Sequence, residues 1–289
     1  MKLENEFLCV EITEVGAEVT RIYDKTSDTE VLWNGDARFW KRHSPILFPN
    51  VGKTWNNSVS IDGMQYPTSQ HGFARDTQFE CVESAEDFIV FQMRSTEETK
   101  KLYPYDFELC ISYRLNGKEL DVEWRVKNCT EGKMYFTIGG HPAFAFAGKD
   151  EVKTDYCLGF PGKEKLDYLK IDLATGTGIP TPTYPMELKD GYHPLNEEMF
   201  EIDTFVFDES QIEEAWLCKK DGTPYVGVRC KDFPNFGIWS PAGAPFICLE
   251  PWCGRCDNYG FEGDISEKQN INCLTGGETF EKKYQIVVA

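Results

Sequence analysis

A single carboxylate stands in an otherwise apolar strand near the carboxyl end of the chain. Residues 245 to 252 read Pro-Phe-Ile-Cys-Leu-Glu-Pro-Trp, and Glu250 is the only charged residue among them. The two-residue period of a strand places Phe246, Cys248, Glu250 and Trp252 on one face. Partial burial raises the pKa of a carboxyl group and makes its carboxylate a stronger base. Glu250 is therefore a candidate base, the alternative being a residue at a frayed strand end that points into water.

An imidazole follows a second apolar run. The strand-like segment at 134 to 138 continues into Gly-Gly-His-Pro-Ala-Phe, residues 139 to 144. The two glycines let another backbone or a ligand approach closely, and Pro142 ends strand pairing. His141 would then lie at the end of a sheet, a common position for binding and catalytic residues. It is a candidate site residue, the alternative being a histidine with a purely structural role.

Two further segments place polar side chains beside aromatic ones. His71 lies in the polar turn Ser-Gln-His-Gly-Phe-Ala-Arg-Asp, residues 69 to 76, a weak signal by itself. Arg42 precedes a segment bracketed by prolines, from which its planar guanidinium could bind a ligand oxygen or form an ordinary surface ion pair. Aromatic faces suit the C–H surfaces of sugars, although most tryptophans belong to a core. The tryptophans near these candidates are Trp33, Trp40, Trp55 and Trp252.

One cysteine pair has the spacing of a metal or redox motif. Cys253 and Cys256 form a Cys-x-x-Cys sequence, but no second pair stands at zinc-finger spacing and no strand-helix context of thioredoxin type surrounds it. Metal and redox functions are therefore disfavoured. A mixed metal site of His71, His141 and Glu250 stays open, although no His-x-His or His-Glu-x-x-His pattern supports it.

Composition restricts the partners. The chain has 289 residues, a formal net charge of -18 and a pI near 4.7, so its long-range field repels nucleic acid, and an anionic substrate would need a local cluster of Arg or Lys. The start of the chain has no apolar signal-peptide segment, and no stretch is long enough to cross a membrane. The 11 cysteines are an odd count, and several stand in apolar runs, as expected in a reducing compartment. We expect a cytoplasmic protein.

Alternating patterns predict an all-β fold. No stretch beyond about ten residues has apolar side chains at helical spacing, which disfavours a parallel sheet. Asn116-Gly117 predicts a two-residue hairpin turn that sets Tyr113 opposite Leu120, and Asp221-Gly222 predicts a second hairpin. Other strand-like runs occupy residues 6–13, 18–25, 78–84, 87–95, 213–219, 224–230, 236–240, 245–250 and 279–288. We expect a single domain over residues 1–289, a sandwich of two antiparallel sheets, with the Pro/Gly-rich residues 174–194 as a surface excursion.

Four motifs occur in a fixed order along the chain. They are RHSPILFPNVGK at 42–53, HGFARD at 71–76, GGHPAF at 139–144 and ICLEPWCG at 247–254. This ordered set resembles the aldose 1-epimerase (galactose mutarotase-like) superfamily, and among its branches the bacterial LacX-like proteins. The resemblance implies a single-domain β-supersandwich of large antiparallel sheets that interconverts the α and β anomers of a free hexose. It implies no cofactor and no metal, and a monomer or homodimer whose partner is a small sugar.

The same resemblance implies roles for individual residues. Glu250 corresponds to the general base that takes the proton of the anomeric O1 hydroxyl, and His141 to the general acid that protonates the ring oxygen. The ring opens to the aldehyde, C1 rotates, and closure reverses the roles. His71 corresponds to a second active-site histidine, Arg42 to an arginine that binds sugar oxygens, and Asp203 to an aspartate that holds sugar hydroxyls.

Proton transfer across a sugar ring requires little machinery. A carboxylate and an imidazole on opposite sides of the ring suffice, and each contributes roughly a hundred- to ten-thousand-fold. At neutral pH the imidazole must be protonated while the carboxylate is ionised. Their mutual attraction favours that state, and desolvation opposes it.

Two motifs differ from those of the galactose mutarotases, in which Asn precedes the acid histidine and Leu-His-Gly-Gly stands where this chain has HGFAR. Both changes lie at the expected substrate pocket, so the sequence does not identify which sugar is the substrate. Trp252 would offer an aromatic face in that pocket. A related branch acts on hexose 6-phosphates, which makes Arg42, Lys53 and Arg75 candidate phosphate ligands. A non-catalytic sugar-binding protein on the same fold is the third alternative.

Overall fold

The computed structural model of the protein describes residues 1 to 289. It contains 25 strands, one four-residue helix, α1 (Glu97–Lys100), and five 3-10 turns. The first strands are β1 (Lys2–Glu4), β2 (Leu8–Ile12), β3 (Val19–Asp24), β4 (Thr29–Glu30), β5 (Ile46–Leu47), β6 (Ser58–Ile61), β7 (Met64–Pro67), β8 (Glu80–Ser84), β9 (Phe88–Arg94), β10 (Phe107–Asn116), β11 (Glu119–Asn128), β12 (Met134–Phe136), β13 (Ile138–Gly140) and β14 (Ala143–Ala145). The remaining strands are β15 (Tyr156–Gly159), β16 (Lys165–Ile171), β17 (Gly178–Glu187), β18 (Tyr192–Pro194), β19 (Phe205–Phe207), β20 (Glu214–Lys219), β21 (Pro224–Arg229), β22 (Asn235–Trp239), β23 (Phe246–Cys253), β24 (Asn272–Leu274) and β25 (Thr279–Val288). The 3-10 turns are Trp55–Asn57, Ala74–Asp76, Lys153–Asp155, Glu198–Ile202 and Ile265–Glu267.

Two large antiparallel sheets dominate, which confirms the predicted all-β class. The nine-stranded sheet has the order β18-β15-β20-β21-β25-β11-β10-β9-β8. The eight-stranded sheet has the order β17-β16-β19-β22-β23-β13-β5, and β14 also pairs with β23. A four-stranded sheet, β1 to β4, and two hairpin-sized sheets complete the fold. None of the helices is long and apolar enough to span a membrane.

The hairpin predicted around Asn116 forms between β10 and β11, but the predicted register is wrong. Asn116 pairs with Glu119, so residues 117 and 118 make the turn, and Tyr113 faces Val122. The glycine at the first turn position has a φ of 57°. A two-residue turn of type II′ places glycine at that position. Because each opposed pair is shifted by two residues, every side chain keeps its predicted face of the sheet.

The predicted surface excursion at residues 174–194 is also wrong. Residues 178–187 form β17, a ten-residue strand at the edge of the eight-stranded sheet, paired with β16, and residues 192–194 form β18. Proline cannot donate to a strand ladder, but an edge strand leaves half of its N–H groups facing solvent. The prolines of this segment are therefore compatible with a strand at this position only because it is an edge.

The main apolar core contains side chains from both large sheets. Its 59 buried residues include Val122, Trp124 and Ile286 from the nine-stranded sheet and Ile247 and Leu249 from β23. The alternate residues of β23 point to the opposite face of the eight-stranded sheet. That face carries the site described below.

The two glycines before His141 are positions of close approach, as the sequence predicts. A Cβ at Gly139 would lie 2.4 Å from Cδ1 of Trp252, and a Cβ at Gly140 would lie 2.7 Å from the Tyr284 hydroxyl oxygen. Neither distance is compatible with a methyl group unless the aromatic side chain moves. The strand can pass these rings only because it lacks side chains there.

We expect Gly139→Ala to lower the free energy of unfolding by about 1–3 kcal/mol, the usual cost of overpacking a well-packed site. The matched control is Gly132→Ala, because no heavy atom lies within 4 Å of a Cβ at that position. The control should change stability by less than about 0.5 kcal/mol. Urea unfolding of the three proteins measures both effects. Equal midpoints for Gly139→Ala and the wild type would contradict the packing argument.

Candidate active site

Strand pairing places His141 opposite Glu250. β13 pairs Gly139 with Trp252, and β14 resumes pairing with β23 at the same offset after a gap of two residues. Continued through the gap, that offset puts His141 against Glu250. Nε2 of His141 lies 3.3 Å from Oε2 of Glu250. The break in the ladder, which Pro142 enforces, frees the imidazole to face the carboxyl group.

A cavity of about 400 Å³ opens onto this pair. Its size is typical of small-molecule sites, which span about 300–1,000 Å³. Seven of the residues that the sequence singled out as catalytic or sugar-binding candidates lie in its lining: Arg42, His71, Arg75, His141, Asp203, Glu250 and Trp252. Lys53, the third candidate phosphate ligand, is not in the lining and packs against the position of Gly176, while Lys41 lines the cavity.

Glu250 is surrounded by apolar groups. On the same face of β23, Phe246 and Cys248 belong to one small apolar cluster and Trp252 belongs to another. The Glu250 side chain is 1% exposed, and neither carboxyl oxygen has a hydrogen-bond partner. Burial raises the pKa of Glu250 well above its ordinary value, and the charge of Asp203 acts in the same direction. The carboxylate of Glu250 is thus a stronger base than that of an exposed glutamate.

Aromatic rings hold the His141 imidazole in place. Trp40 stacks on it with ring centroids 4.7 Å apart, and Trp239 meets it edge to face at 5.7 Å. Burial lowers the pKa of His141 to about 3, and the charge of Arg75 adds to the effect. Desolvation therefore outweighs the attraction between an imidazolium and a carboxylate. The two shifts run in opposite directions, so a proton shared by the pair lies preferentially on Glu250.

The two groups are neighbours, whereas the sequence-based mechanism expected them on opposite sides of a sugar ring. Nε2 of His141 and Oε2 of Glu250 approach within 3.3 Å on one wall of the cavity. Anomer exchange does not require opposition, because O1 and the ring oxygen are both bonded to C1. One acid and one base side by side can reach both oxygens, and a proton can pass directly between them.

His71 is fixed as a neutral hydrogen-bond donor. Its Nδ1 accepts a hydrogen bond from the Gly52 N–H at 3.1 Å, so its remaining proton is on Nε2. Burial lowers the pKa of His71 well below its ordinary value, which keeps the ring neutral. Its ring centroid is 5.5 Å from that of His141. His71 has a φ of 67°, and such backbone strain is concentrated at functional sites.

Two guanidinium groups form the basic side of the cavity. Arg42 donates a hydrogen bond to Asp76 at 2.8 Å, and Arg75 donates to the Gln70 carbonyl oxygen at 2.6 Å. Nε of Arg75 is buried without a hydrogen-bond partner. Burial lowers the pKa of Arg75 to about 10, with the charge of Arg42 acting in the same direction. Arg75 therefore stays charged at neutral pH, and Asp76 forms ion pairs with both arginines.

Asp203 follows the 3-10 turn Glu198–Ile202 and has a φ of 68°. Its Oδ1 accepts a hydrogen bond from the Thr204 hydroxyl at 2.7 Å. The second carboxylate oxygen is directed to no protein donor in the hydrogen-bond network, so Asp203 can accept from a sugar hydroxyl. Its left-handed backbone conformation was not readable from the sequence.

Sequence reasoning missed Trp239 and Lys41. Trp239 pairs with Cys248 in the hairpin of β22 and β23, on the same face as Glu250. Both strands were predicted, so pairing them would have placed Trp239 beside the candidate base. Lys41 gave no such signal, because it stands in a loop of mixed composition.

The structure also differs from the mixed metal site of His71, His141 and Glu250 that the sequence left open. The side chains whose donor atoms meet are His141, Cys248 and Glu250, all within 4.8 Å of one another, and His71 is not among them. Cys253 and Cys256 are free and buried, and only Cys256 reaches the cavity.

The fold is that of galactose mutarotase-like proteins. A galactose mutarotase related enzyme from Lactobacillus acidophilus superposes with a TM-score of 0.94 at 28% identity, covering 100% of this chain and 97% of that one. A galactose mutarotase-like protein from Lactobacillus casei ATCC 334 gives a TM-score of 0.89 at 29% identity, with 100% and 99% coverage.

The sequence profile of aldose 1-epimerase matches residues 1–284, and the chain belongs to this family. The plasmid-encoded protein LacX of Lactococcus lactis subsp. lactis is 30% identical over 296 residues, covering 100% of this chain and 99% of the relative. The predicted resemblance to the superfamily and to its LacX-like branch is thereby confirmed.

Proposed function

We propose that the protein is an isomerase that interconverts the α and β anomers of a free hexose. The observation that carries this proposal is the buried pair of His141 and Glu250, 3.3 Å apart on the wall of a cavity of about 400 Å³. General acid–base catalysis needs one group to remove a proton and another to donate one. This pair has the one shared proton that such an exchange requires.

The position of the shared proton defines the steps of the proposed reaction. When a sugar binds, its hydroxyl groups replace missing hydrogen bonds of the Glu250 carboxylate, and the shared proton passes to His141. Glu250 then takes the O1 proton while His141 protonates the ring oxygen, and the bond from C1 to the ring oxygen breaks. Rotation about the C1–C2 bond presents the other face of the aldehyde. Closure returns each proton and completes the inversion at C1.

Other cavity residues hold the sugar during rotation. The Nε2–H of His71 and the guanidinium of Arg42 donate to sugar oxygens, and Asp203 accepts from a hydroxyl. Trp252 offers an aromatic surface to the C–H groups of the ring. These contacts keep the open-chain aldehyde in place until it closes.

NMR exchange spectroscopy of a panel of aldoses tests the proposal. Addition of the protein should increase the rate of exchange between the α and β signals of at least one aldose, glucose and galactose being the first to try. Calorimetric binding of an aldose without any increase in exchange rate would instead support a non-catalytic sugar-binding protein.

The basic side of the cavity supports a second candidate, a mutarotase of hexose 6-phosphates. Lys41, Arg42 and Arg75 line one cavity in a chain of net charge -18, which is the local cluster that an anionic substrate requires. The unpartnered Nε of Arg75 is an available donor for a phosphate oxygen.

If phosphate binds there, Arg75→Ala should lower kcat/KM for glucose 6-phosphate by about 10- to 150-fold, the value of a charged hydrogen bond. The effect on glucose should be several-fold smaller. Lys53→Ala is the matched control, because Lys53 is basic and close in sequence but outside the lining. An unchanged rate of Arg75→Ala on the phosphate would dismiss this contact.

We further propose a cytoplasmic location. All 11 cysteines are free, and eight of them are buried, as suits thiols that serve as small apolar residues in a reducing compartment.

A further inference from the structure

Three donor atoms of different chemistry meet at the cavity, where His141 and Glu250 belong to the lining and the buried Cys248 lies beside them. A ring nitrogen of His141, the sulfur of Cys248 and a carboxylate oxygen of Glu250 lie within 4.8 Å of one another, and all three side chains are buried. The eight-stranded sheet sets this arrangement. Cys248 and Glu250 are two residues apart on one face of β23, and β14 brings the segment of His141 alongside.

These donors have unused bonding capacity. Neither carboxyl oxygen of Glu250 has a hydrogen-bond partner. The Glu250 side chain is 1% exposed, so bulk water does not satisfy it. A buried polar group without a partner is costly, and a ligand that satisfies it gains that free energy on binding.

We propose that His141, Cys248 and Glu250 bind one thiophilic divalent cation of the Zn²⁺ type. Nitrogen, sulfur and oxygen donors together suit zinc, whereas Mg²⁺ and Ca²⁺ favour oxygen ligands alone. Three protein ligands leave a fourth tetrahedral position, which faces the cavity and accepts water or a sugar hydroxyl. The Cys248 thiol and the Glu250 carboxyl group release their protons to solvent as the bonds to the metal form, and no electron is transferred.

The bound cation would inhibit anomer exchange, and this consequence alone rests on the proposed function. A metal ion on Glu250 and His141 removes the free electron pairs that carry the proton. At a free zinc concentration ten times the dissociation constant, the exchange rate should fall about ten-fold. Excess chelator should restore it.

Cobalt provides a test that does not depend on any activity. Co²⁺ occupies zinc sites, and a tetrahedral cobalt thiolate has intense visible absorption and a sulfur-to-cobalt charge-transfer band in the near ultraviolet. The full chain should bind one equivalent of Co²⁺ with both features, and Zn²⁺ should displace it. The exposed thiols Cys129 and Cys273 are replaced by Ser in all proteins, so that they contribute no band.

Variants locate the sulfur ligand. Cys248→Ser and Cys248→Ala should each lose the charge-transfer band and bind Co²⁺ at least ten-fold more weakly. Cys256→Ser is the matched control, because Cys256 is a buried cysteine of the same cavity outside the donor group, and it should keep the band. Glu250→Gln should keep the band but lose affinity at least ten-fold.

Three results would overturn the proposal. The first is the absence of a charge-transfer band in the parent protein. The second is a band that survives in a folded Cys248 variant, with near-ultraviolet circular dichroism as the measure of folding. The third is a band that disappears in Cys256→Ser, which would move the sulfur ligand to the Cys-x-x-Cys sequence.

Discussion

Glu250→Gln is expected to lower the catalysed rate of anomer exchange by about 100- to 10,000-fold, the usual contribution of a positioned base. The amide has nearly the same shape as the carboxyl group but cannot accept the O1 proton. Glu250 is 1% exposed and surrounded by apolar side chains, so water cannot easily replace it as the base. NMR exchange spectroscopy at equal protein concentrations measures the loss.

Stability data separate this loss from a folding defect. The buried carboxyl group has no hydrogen-bond partner, so its replacement by an amide should leave the free energy of unfolding unchanged or raise it. Glu262→Gln is a matched control, since it changes a carboxyl group outside the cavity. If wild type and Glu250→Gln accelerate exchange equally, Glu250 is not the base.

His141→Asn is expected to cause a loss of similar size, about 100- to 10,000-fold, because the ring oxygen then has no acid beside it. The Trp40 ring also loses its stacking partner, so the variant should be less stable as well. Sugar affinity, measured by calorimetry, separates the two effects. Retained binding with lost exchange is the expected result, and retained exchange would exclude His141 as the acid.

The pH profile of the wild type has a distinctive form. The pair needs one proton in total, so activity falls only when a second proton is added or the last one is lost. The folded pKa of His141 is lowered to about 3, and that of Glu250 is raised by burial. The activity should therefore decline in strong acid and again above the raised pKa of Glu250. The decline on the acid side should lie well below the ordinary histidine pKa of about 6.5, because burial lowers the pKa of His141.

The sequence predicted what depends on local pattern. Alternation identified β10, β11 and the face of Glu250, and the ordered motifs contain six of the seven candidate residues that line the cavity. The pairing register of β10 and β11 was harder to predict. A shift of two residues keeps every side chain on the same face of the sheet, so the alternating pattern does not distinguish the two registers. β17 was missed because its prolines are compatible with a strand only at a sheet edge, and edge position is a property of the whole sheet. The direct contact of His141 and Glu250 likewise depends on long-range pairing.

The proposed acid–base pair and the groups proposed to bind the sugar are held by different parts of the fold. Glu250 stands within a central strand and His141 between two strands that pair with it, whereas Arg42, His71 and Asp203 lie in connections between strands. Loops tolerate substitution and insertion far better than paired strands do. If the proposed function is correct, the choice of sugar can therefore diverge among descendants of this scaffold while the proposed acid–base pair is inherited unchanged.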